Sequence, residues 1–260
     1  MAVILLVLLS EAWPILKSDN VWSLFVDTDW YPTEGRFGLM AMLPASLLVM
    51  TGAILLAFPT GLACAIFICF MAPELIRKPF RFTIALLAGI PSVVLGLWGL
   101  TVLAPLVSLW RPPGTSLLTA SMVLALMILP TVSLTTVAAF EGLPASLRQS
   151  AAALGMRSHT QIVKVLIPAA RASIASGLLL AMARALGETM VVLMVAGNVV
   201  NFPGSILEPV RTLTANIALE MAYATDLHRA ALFSSGLMLT LLVLLIAYTA
   251  AWLQGERHAR

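Results

Sequence analysis

The sequence contains very few charged residues. Only 10% of its 260 residues are Asp, Glu, Lys or Arg, whereas 60% are hydrophobic, and the mean hydropathy is +1.00. Soluble domains typically have about 25% charged residues. The composition therefore excludes a soluble globular domain and predicts a protein that crosses a membrane several times.

The sequence also lacks the residues that several kinds of site require. Cys64 and Cys69 are its only cysteines and lie in one apolar run, which favours packing over a disulfide or a metal site. His159, His228 and His258 are too dispersed along the chain to predict a metal site. No Gly-x-x-x-x-Gly-Lys-Ser/Thr loop is present to hold ATP. We therefore expect this chain to be neither an enzyme nor the carrier of a metal or cofactor.

Long uncharged runs are what the sequence does contain. They cover residues 37–73, 82–110, 112–140 and 230–255, and a run at 172–207 is interrupted only by Arg184 and Glu188. About 20 apolar residues cross the hydrocarbon core as a helix, and only such regular structure satisfies the backbone in lipid. We predict an all-α polytopic membrane protein with about six transmembrane helices. Their expected positions are 1–16 (a short first helix), 38–70, 82–108, 116–140, 172–197 and 230–253.

The distribution of basic residues orients these helices. One set of alternating loops and tails contains Arg77, Lys78, Arg81, Arg148, Arg157, Lys164, Arg171, Arg257 and Arg260, and the other contains Lys17, Arg36, Arg111, Arg211 and Arg229. Because cytoplasmic loops are enriched in Lys and Arg, the first set should be cytoplasmic, with both termini inside. The chain then comprises a first helix and external loop (1–37), a membrane core (38–253) and a cytoplasmic tail (254–260). The net charge of +3 reflects these loops rather than nucleic-acid binding.

The longest predicted cytoplasmic loop, 141–171, has the pattern of two short helices. Pro144 suits a first helical turn and Gly155 a helix stop, and an apolar stripe lies between them at helical spacing. Ser158 and Gln161 form a capping-box pattern that predicts a second helix from about 159 to 167, before Pro168. An apolar stripe outside the membrane fits either a groove in a partner protein or the bilayer surface.

The same loop resembles a signature of a known transporter family. Gln149-Ser150-Ala151, followed by Gly155 and by Val165-Leu166-Ile167-Pro168, is similar to the EAA loop of type I ABC-importer permeases, with an amide in place of the usual acid. In that family the loop contains a coupling helix that docks into an ATP-hydrolysing subunit. The resemblance implies the type I importer permease fold. It also implies that the coupling residues are Leu143, Leu147, Gln149, Ala151, Leu154 and Gly155.

Other segments narrow the resemblance to phosphate-transport permeases, the PstC branch more than its PstA paralogue. These segments are Asp29-Trp30-Tyr31-Pro32, Phe58-Pro59-Thr60-Gly61, 88–94 with 96–99, and 184–190 with 196–198. The likeness implies half of a path for inorganic phosphate in a bacterial inner membrane. It also implies a paralogous permease, an ATPase subunit that holds ATP and Mg²⁺, and a periplasmic phosphate-binding protein that meets loops 17–37 and 198–229.

Two charged residues are the candidates for the path itself. Arg184 and Glu188 are four apart on a predicted helix, where pairing lowers the cost of charge at membrane depth. Arginine donors suit a tetrahedral oxyanion, although a permanent salt bridge within the bundle is the alternative. Gly89, Pro91 and Ser92 predict a kink, which either serves packing or lines a gate.

Other interpretations remain open from sequence. One arginine does not distinguish phosphate from sulfate, molybdate or phosphonate, so a permease for another oxyanion is an alternative. A standalone channel or secondary carrier is a second alternative, and a carrier should have ionisable residues in several helices. A membrane scaffold that transports nothing is a third. Asp29, Trp30 and Pro32 fit either contact with a substrate-delivering protein or an aromatic anchor at the membrane surface.

Overall fold

The computed structural model describes residues 2–18 and 21–255. Its regular structure is almost entirely helical, as predicted. The helices are Ala2–Leu16, Val21–Val26, Met42–Ile66, Glu74–Leu87, Ser92–Trp98, Ala104–Ser108, Leu117–Glu141, Ala145–Ala153, Ser158–Gln161, Ile167–Gly187, Met190–Val195, Leu213–Glu220 and Asp226–Gly255. Wider π-helical turns occupy Phe67–Met71, Gly99–Leu103 and Ile162–Leu166. A small antiparallel hairpin, Trp30–Tyr31 with Arg36–Phe37, interrupts the loop predicted to be external.

Four continuous helices are long and apolar enough to cross a membrane. They are Met42–Met71, Leu117–Glu141, Ser158–Gly187 and Asp226–Thr249. The interrupted pair Glu74–Leu87 and Ser92–Ser108 is a fifth candidate among the described residues, either as a broken span or as a re-entrant loop. The helix Ala2–Leu16 has 15 residues, which is shorter than a usual span.

The predicted third helix, 82–108, is not continuous. The chain leaves helical geometry after Leu87 and a new helix begins at Ser92, with Pro91 as its N-cap. Proline lacks the N–H of a helical ladder, and its ring disfavours helical geometry in the residue before it. The kink predicted at Gly89, Pro91 and Ser92 is instead a complete break in the helix.

The predicted end of a helix before Pro168 is wrong. The helix continues through Pro168 to Gly187, because the π turn Ile162–Leu166 lies just before the proline and has already displaced the backbone from the regular ladder. The capping box is also wrong. Arg157 is the N-cap, and the side-chain amide of Gln161 donates to the Met156 carbonyl at 2.7 Å.

The chain forms two compact units, each with its own core. The first unit comprises Met1–Ala53, Pro91–Leu124 and Arg184–Leu245, and the second comprises Ile54–Ile90, Ala125–Ala183 and Ile246–Arg260. The first unit contains the loops predicted to be external, and its core includes Leu24, Met42, Leu213 and Leu232. The second unit contains the loops predicted to be cytoplasmic, and its core includes Ile68, Ile84, Val137, Phe140 and Ala170.

Close contacts through small residues hold helices together within each unit. In the first, a Cβ added at Gly52 would lie 2.5 Å from the Ser121 hydroxyl oxygen. In the second, Gly177 lies equally close against Thr135. Small residues at such contacts are how membrane helices gain packing energy where lipid offers no hydrophobic driving force.

Candidate functional site

The helix Ala145–Ala153, here called the coupling helix, begins and ends as the sequence predicts. Pro144 is its N-cap, and Gly155 has a φ of 70°. The N–H of Gly155 donates to the Ala152 carbonyl at 2.9 Å and that of Met156 to the Ala151 carbonyl at 3.2 Å, which closes the helix end. A side chain at Gly155 would be strained by the left-handed backbone.

The predicted apolar stripe does not form one exposed surface. Ala151 is only 4% exposed, and Leu143 and Leu147 are half-buried, because the coupling helix packs on the π turn Ile162–Leu166 within the second unit. Leu154 is 80% exposed. The apolar spacing therefore marks the side of the helix that packs on its own chain, not a single docking face.

The outward side of the coupling helix carries part of the family signature, because Gln149 and Gly155 face outward whereas Ala151 is buried. Gln149 and Gly155 are exposed together with Leu154. The six predicted coupling residues thus divide into three that pack within the chain and three that a partner can reach. Docking of an ATPase subunit there stays a prediction.

The predicted path residues do not share a helix face. The helix that contains Arg184 ends at Gly187, and Glu188 lies in the break before Met190–Val195. One carboxylate oxygen of Glu188 accepts the N–H of Val191 at 3.3 Å, and its carbonyl accepts the Thr214 hydroxyl at 3.0 Å. Glu188 therefore fixes the geometry of the break, while Arg184 is exposed on the surface of this chain.

The turn at 88–91 leaves the predicted gate residues accessible. Gly89 and Pro91 are exposed and Ser92 is half-buried. Their position between two helices is compatible with a turn that lines the path. No contact of these residues distinguishes that role from packing, so the gate stays a prediction.

A buried polar cluster in the first unit is absent from the predicted site. Glu220, which is 6% exposed, accepts from the Trp30 indole N–H at 2.7 Å, and its other oxygen accepts from the Arg211 guanidinium, also at 2.7 Å. The His228 ring nitrogen lies 2.9 Å from the same oxygen that Trp30 contacts. Arg211 also donates to the Asn216 side chain at 3.0 Å. The cluster ties the hairpin to Arg211, to the helix Leu213–Glu220 and to the start of Asp226–Gly255.

The location of Trp30 settles the two alternatives that the sequence left open for it. Trp30 is only 5% exposed and packs edge-on against Phe37, so it is neither an anchor at the membrane surface nor a contact open to a delivering protein. Asp29 remains exposed and pairs with Arg36 at 2.8 Å. The sequence signal for the cluster is slight: an acid, Glu220, stands between apolar neighbours.

Known proteins place the chain among transport permeases. The family described as "Binding-protein-dependent transport system inner membrane component" matches residues 57–255. The "Phosphate transport system permease protein PstC" of Mesorhizobium japonicum is 34% identical over 275 residues, which span 97% of this chain and 84% of the relative. The "Probable ABC transporter permease protein YqgH" of Bacillus subtilis is 40% identical over 235 residues, spanning 88% and 76% of the two chains.

A solved structure supports the fold independently. A chain of the MetNI methionine ABC transporter in an inward-facing conformation superposes with a TM-score of 0.62, covering 84% of this chain and 94% of that one. Because the sequence identity is 16%, this likeness shows the fold alone. The predicted type I importer permease fold is confirmed.

Proposed function

The chain belongs to the family of binding-protein-dependent transport system inner membrane components, and from this premise we propose that it is the permease subunit of an ATP-driven importer of inorganic phosphate. The observation that supports phosphate as the substrate is the 34% identity to a phosphate transport permease along 97% of the chain. The subunit would form half of the path and would transmit movement from an ATPase, because nothing in its sequence provides a phosphate-binding loop for ATP.

The partners proposed are those that such a subunit requires. A paralogous permease would complete the path, and an ATPase subunit would bind ATP and Mg²⁺. A periplasmic phosphate-binding protein would deliver the anion to the loops of the first unit. With these partners the protein would lie in a bacterial inner membrane with both termini in the cytoplasm, as the distribution of basic residues predicts.

Uptake measurements test the proposal directly. Vesicles that contain the four components should accumulate labelled phosphate only when ATP is supplied. When the phosphate-binding protein delivers the substrate, added sulfate or molybdate should not compete with the labelled phosphate. Competition by another oxyanion would transfer the assignment to that anion. Robust flux through this chain alone, without ATP or partners, would instead favour a channel or secondary carrier.

The proposed docking role rests on the exposed side of the coupling helix. Leu154 is 80% exposed, and an apolar side chain on a short helix suits a hydrophobic groove. Leu154→Asp should abolish copurification of the ATPase, because the groove would have to accept a charge. Leu109→Asp is a matched control, since Leu109 is 79% exposed and lies in the other unit. Retention of the ATPase by the Leu154 variant would contradict docking at this residue.

The proposed path role rests on the exposure of Arg184 beside the helix break that Glu188 fixes. Arg184→Gln should lower phosphate uptake at least about tenfold at equal expression, because hydrogen bonds to a charged group contribute about 1.5–3 kcal/mol. Arg184→Lys retains the charge but not the fork of donors, so its phosphate uptake should lie between that of the unsubstituted chain and that of Arg184→Gln. Full uptake by Arg184→Gln would assign the residue to structure alone.

A further inference from the structure

A cavity of about 280 Å³ lies in the second unit, at the start of the coupling helix. Its walls come from the ends of Met42–Met71 and Leu117–Glu141, from the helix Glu74–Leu87 and from the coupling helix itself. The charged side chains that line it are Arg77, Arg148 and Glu141. Phe70 and Leu143 provide an apolar part of the wall.

The charges around this cavity do not balance. Both oxygens of Glu141 are occupied by Arg81, at 2.6 and 3.4 Å. Across residues 2–18 and 21–255, no carboxylate forms an ion pair with Arg77 or Arg148. Two guanidinium groups therefore line one small space whose lining carboxylate, Glu141, is paired with Arg81, and this excess of positive charge favours an anion.

Both arginines are exposed residues whose side chains contact the wall. Arg77 donates to the Ala72 carbonyl at 3.4 Å, and the guanidinium of Arg148 lies 5.9 Å from the centre of the Phe70 ring. Pro144 and Ala145, the first residues of the coupling helix, also line the cavity. The N–H of Leu147 already donates to the Pro144 carbonyl at 3.1 Å, which leaves the N–H groups of Ala145 and Ser146 in the first turn, at the positive end of the helix dipole.

We propose that this cavity binds a phosphate group through Arg77, Arg148 and the first turn of the coupling helix. Arginine forks and helix N-termini are the two protein groups best suited to phosphate oxygens. The same chemistry is offered by the headgroup of an anionic phospholipid and by free inorganic phosphate. Occupancy would join the coupling helix to the helix Glu74–Leu87, so the ligand would stiffen the segment on which coupling depends. The lining of the cavity includes neither of the predicted path residues, and the site does not depend on which anion is transported.

Two binding arms identify the source of the phosphate group. The full chain, carrying Arg184→Gln to remove binding in the path, is placed in phosphatidylcholine nanodiscs with or without phosphatidylglycerol, and retained lipid is measured by mass spectrometry. In the second arm, inorganic phosphate is titrated into the phosphatidylcholine discs and the thermal unfolding midpoint is followed. Retention of phosphatidylglycerol assigns the site to lipid, and stabilisation by inorganic phosphate assigns it to the free anion.

Variants decide whether this cavity is responsible. The double variant Arg77→Gln, Arg148→Gln should weaken binding about tenfold or more in whichever of the two experiments detects a ligand, as expected when hydrogen bonds to a charged ligand are lost. Arg157→Gln, an exposed arginine outside the cavity lining, is the matched control and should bind as before. If the double variant fails to fold, Arg148→Gln alone replaces it, with Arg148→Lys as the variant that restores charge. Binding unchanged by these substitutions, or absent in both arms, would overturn the proposal.

Discussion

An ion pair that is buried in the first unit contrasts with an ion pair that is exposed in the second. In the first unit, the side chains of Arg211 and Glu220 are 19% and 8% exposed, and indole, imidazole and amide groups surround them. In the second, Arg81 and Glu141 pair at 2.6 Å but are 47% and 52% exposed. The first arrangement fixes loops in one conformation, whereas the second leaves charge accessible to water and to partners. Breaking the buried pair should therefore cost far more stability than breaking the exposed one.

The largest expected effect comes from breaking the buried cluster. Glu220→Gln should destabilise the chain by about 3–5 kcal/mol, because it leaves Arg211 buried without its carboxylate. Chemical unfolding of the purified protein in detergent would measure the loss. Glu141→Gln in the second unit is the comparison and should cost less than about 1 kcal/mol. Equal losses in the two variants would contradict the contrast between the units.

A glycine substitution in each unit compares the two units by the stability of their backbone turns. Gly197 and Gly155 both have positive φ, 90° and 70°. A Cβ at Gly197 would lie 2.6 Å from the Pro209 Cβ, whereas nothing lies within 4 Å of one at Gly155. Both alanine variants should incur about 1–2 kcal/mol of backbone strain, and Gly197→Ala should lose more because of the clash. Unfolding free energies that rank Gly155→Ala as the more damaging would refute this reasoning.

The smallest effect is expected from the exposed ion pair. Arg81→Gln should change the unfolding free energy by about 0–1 kcal/mol, since water screens a surface pair. The difference from the unsubstituted chain should shrink further as salt rises toward 1 M, where the screening length is about 3 Å. A loss comparable to that of Glu220→Gln, or one insensitive to salt, would show that the second unit also depends on its charges for stability.

Features that depend on neighbouring residues were predictable from the sequence. Of about six predicted membrane helices, uncharged runs located four continuous ones and a fifth, interrupted candidate. Pro91, which predicted a kink, lies at a break, and Gly155 marked the end of the coupling helix. Each of these follows from the backbone chemistry of a few adjacent residues. The resemblance to transport permeases then supplied the fold, which the matched structure confirms.

Features that depend on distant residues were not predictable. Trp30 and Glu220 are 190 positions apart, and no local pattern indicates that they meet. The stripe from Leu143 to Ala151 has the spacing of an apolar face, but spacing does not reveal whether its own chain or a partner covers that face. Glu188 was placed on a helix because its neighbours are apolar, whereas its own carboxylate caps the start of the next helix.

The π turn at Ile162–Leu166 has a consequence for changes in chain length. The Ile167 N–H donates to the Ile162 carbonyl, five residues earlier, so this turn accommodates one more residue than an α-helical turn. In a regular helix, a one-residue deletion rotates every later side chain by about 100°. A deletion within 162–166 can instead be absorbed as the wide turn tightens, leaving Arg184 on its original face. Single-residue gaps between relatives are therefore expected at this turn, and an alignment that moves such a gap elsewhere would assign the residues of Ile167–Gly187 to the wrong side of the helix.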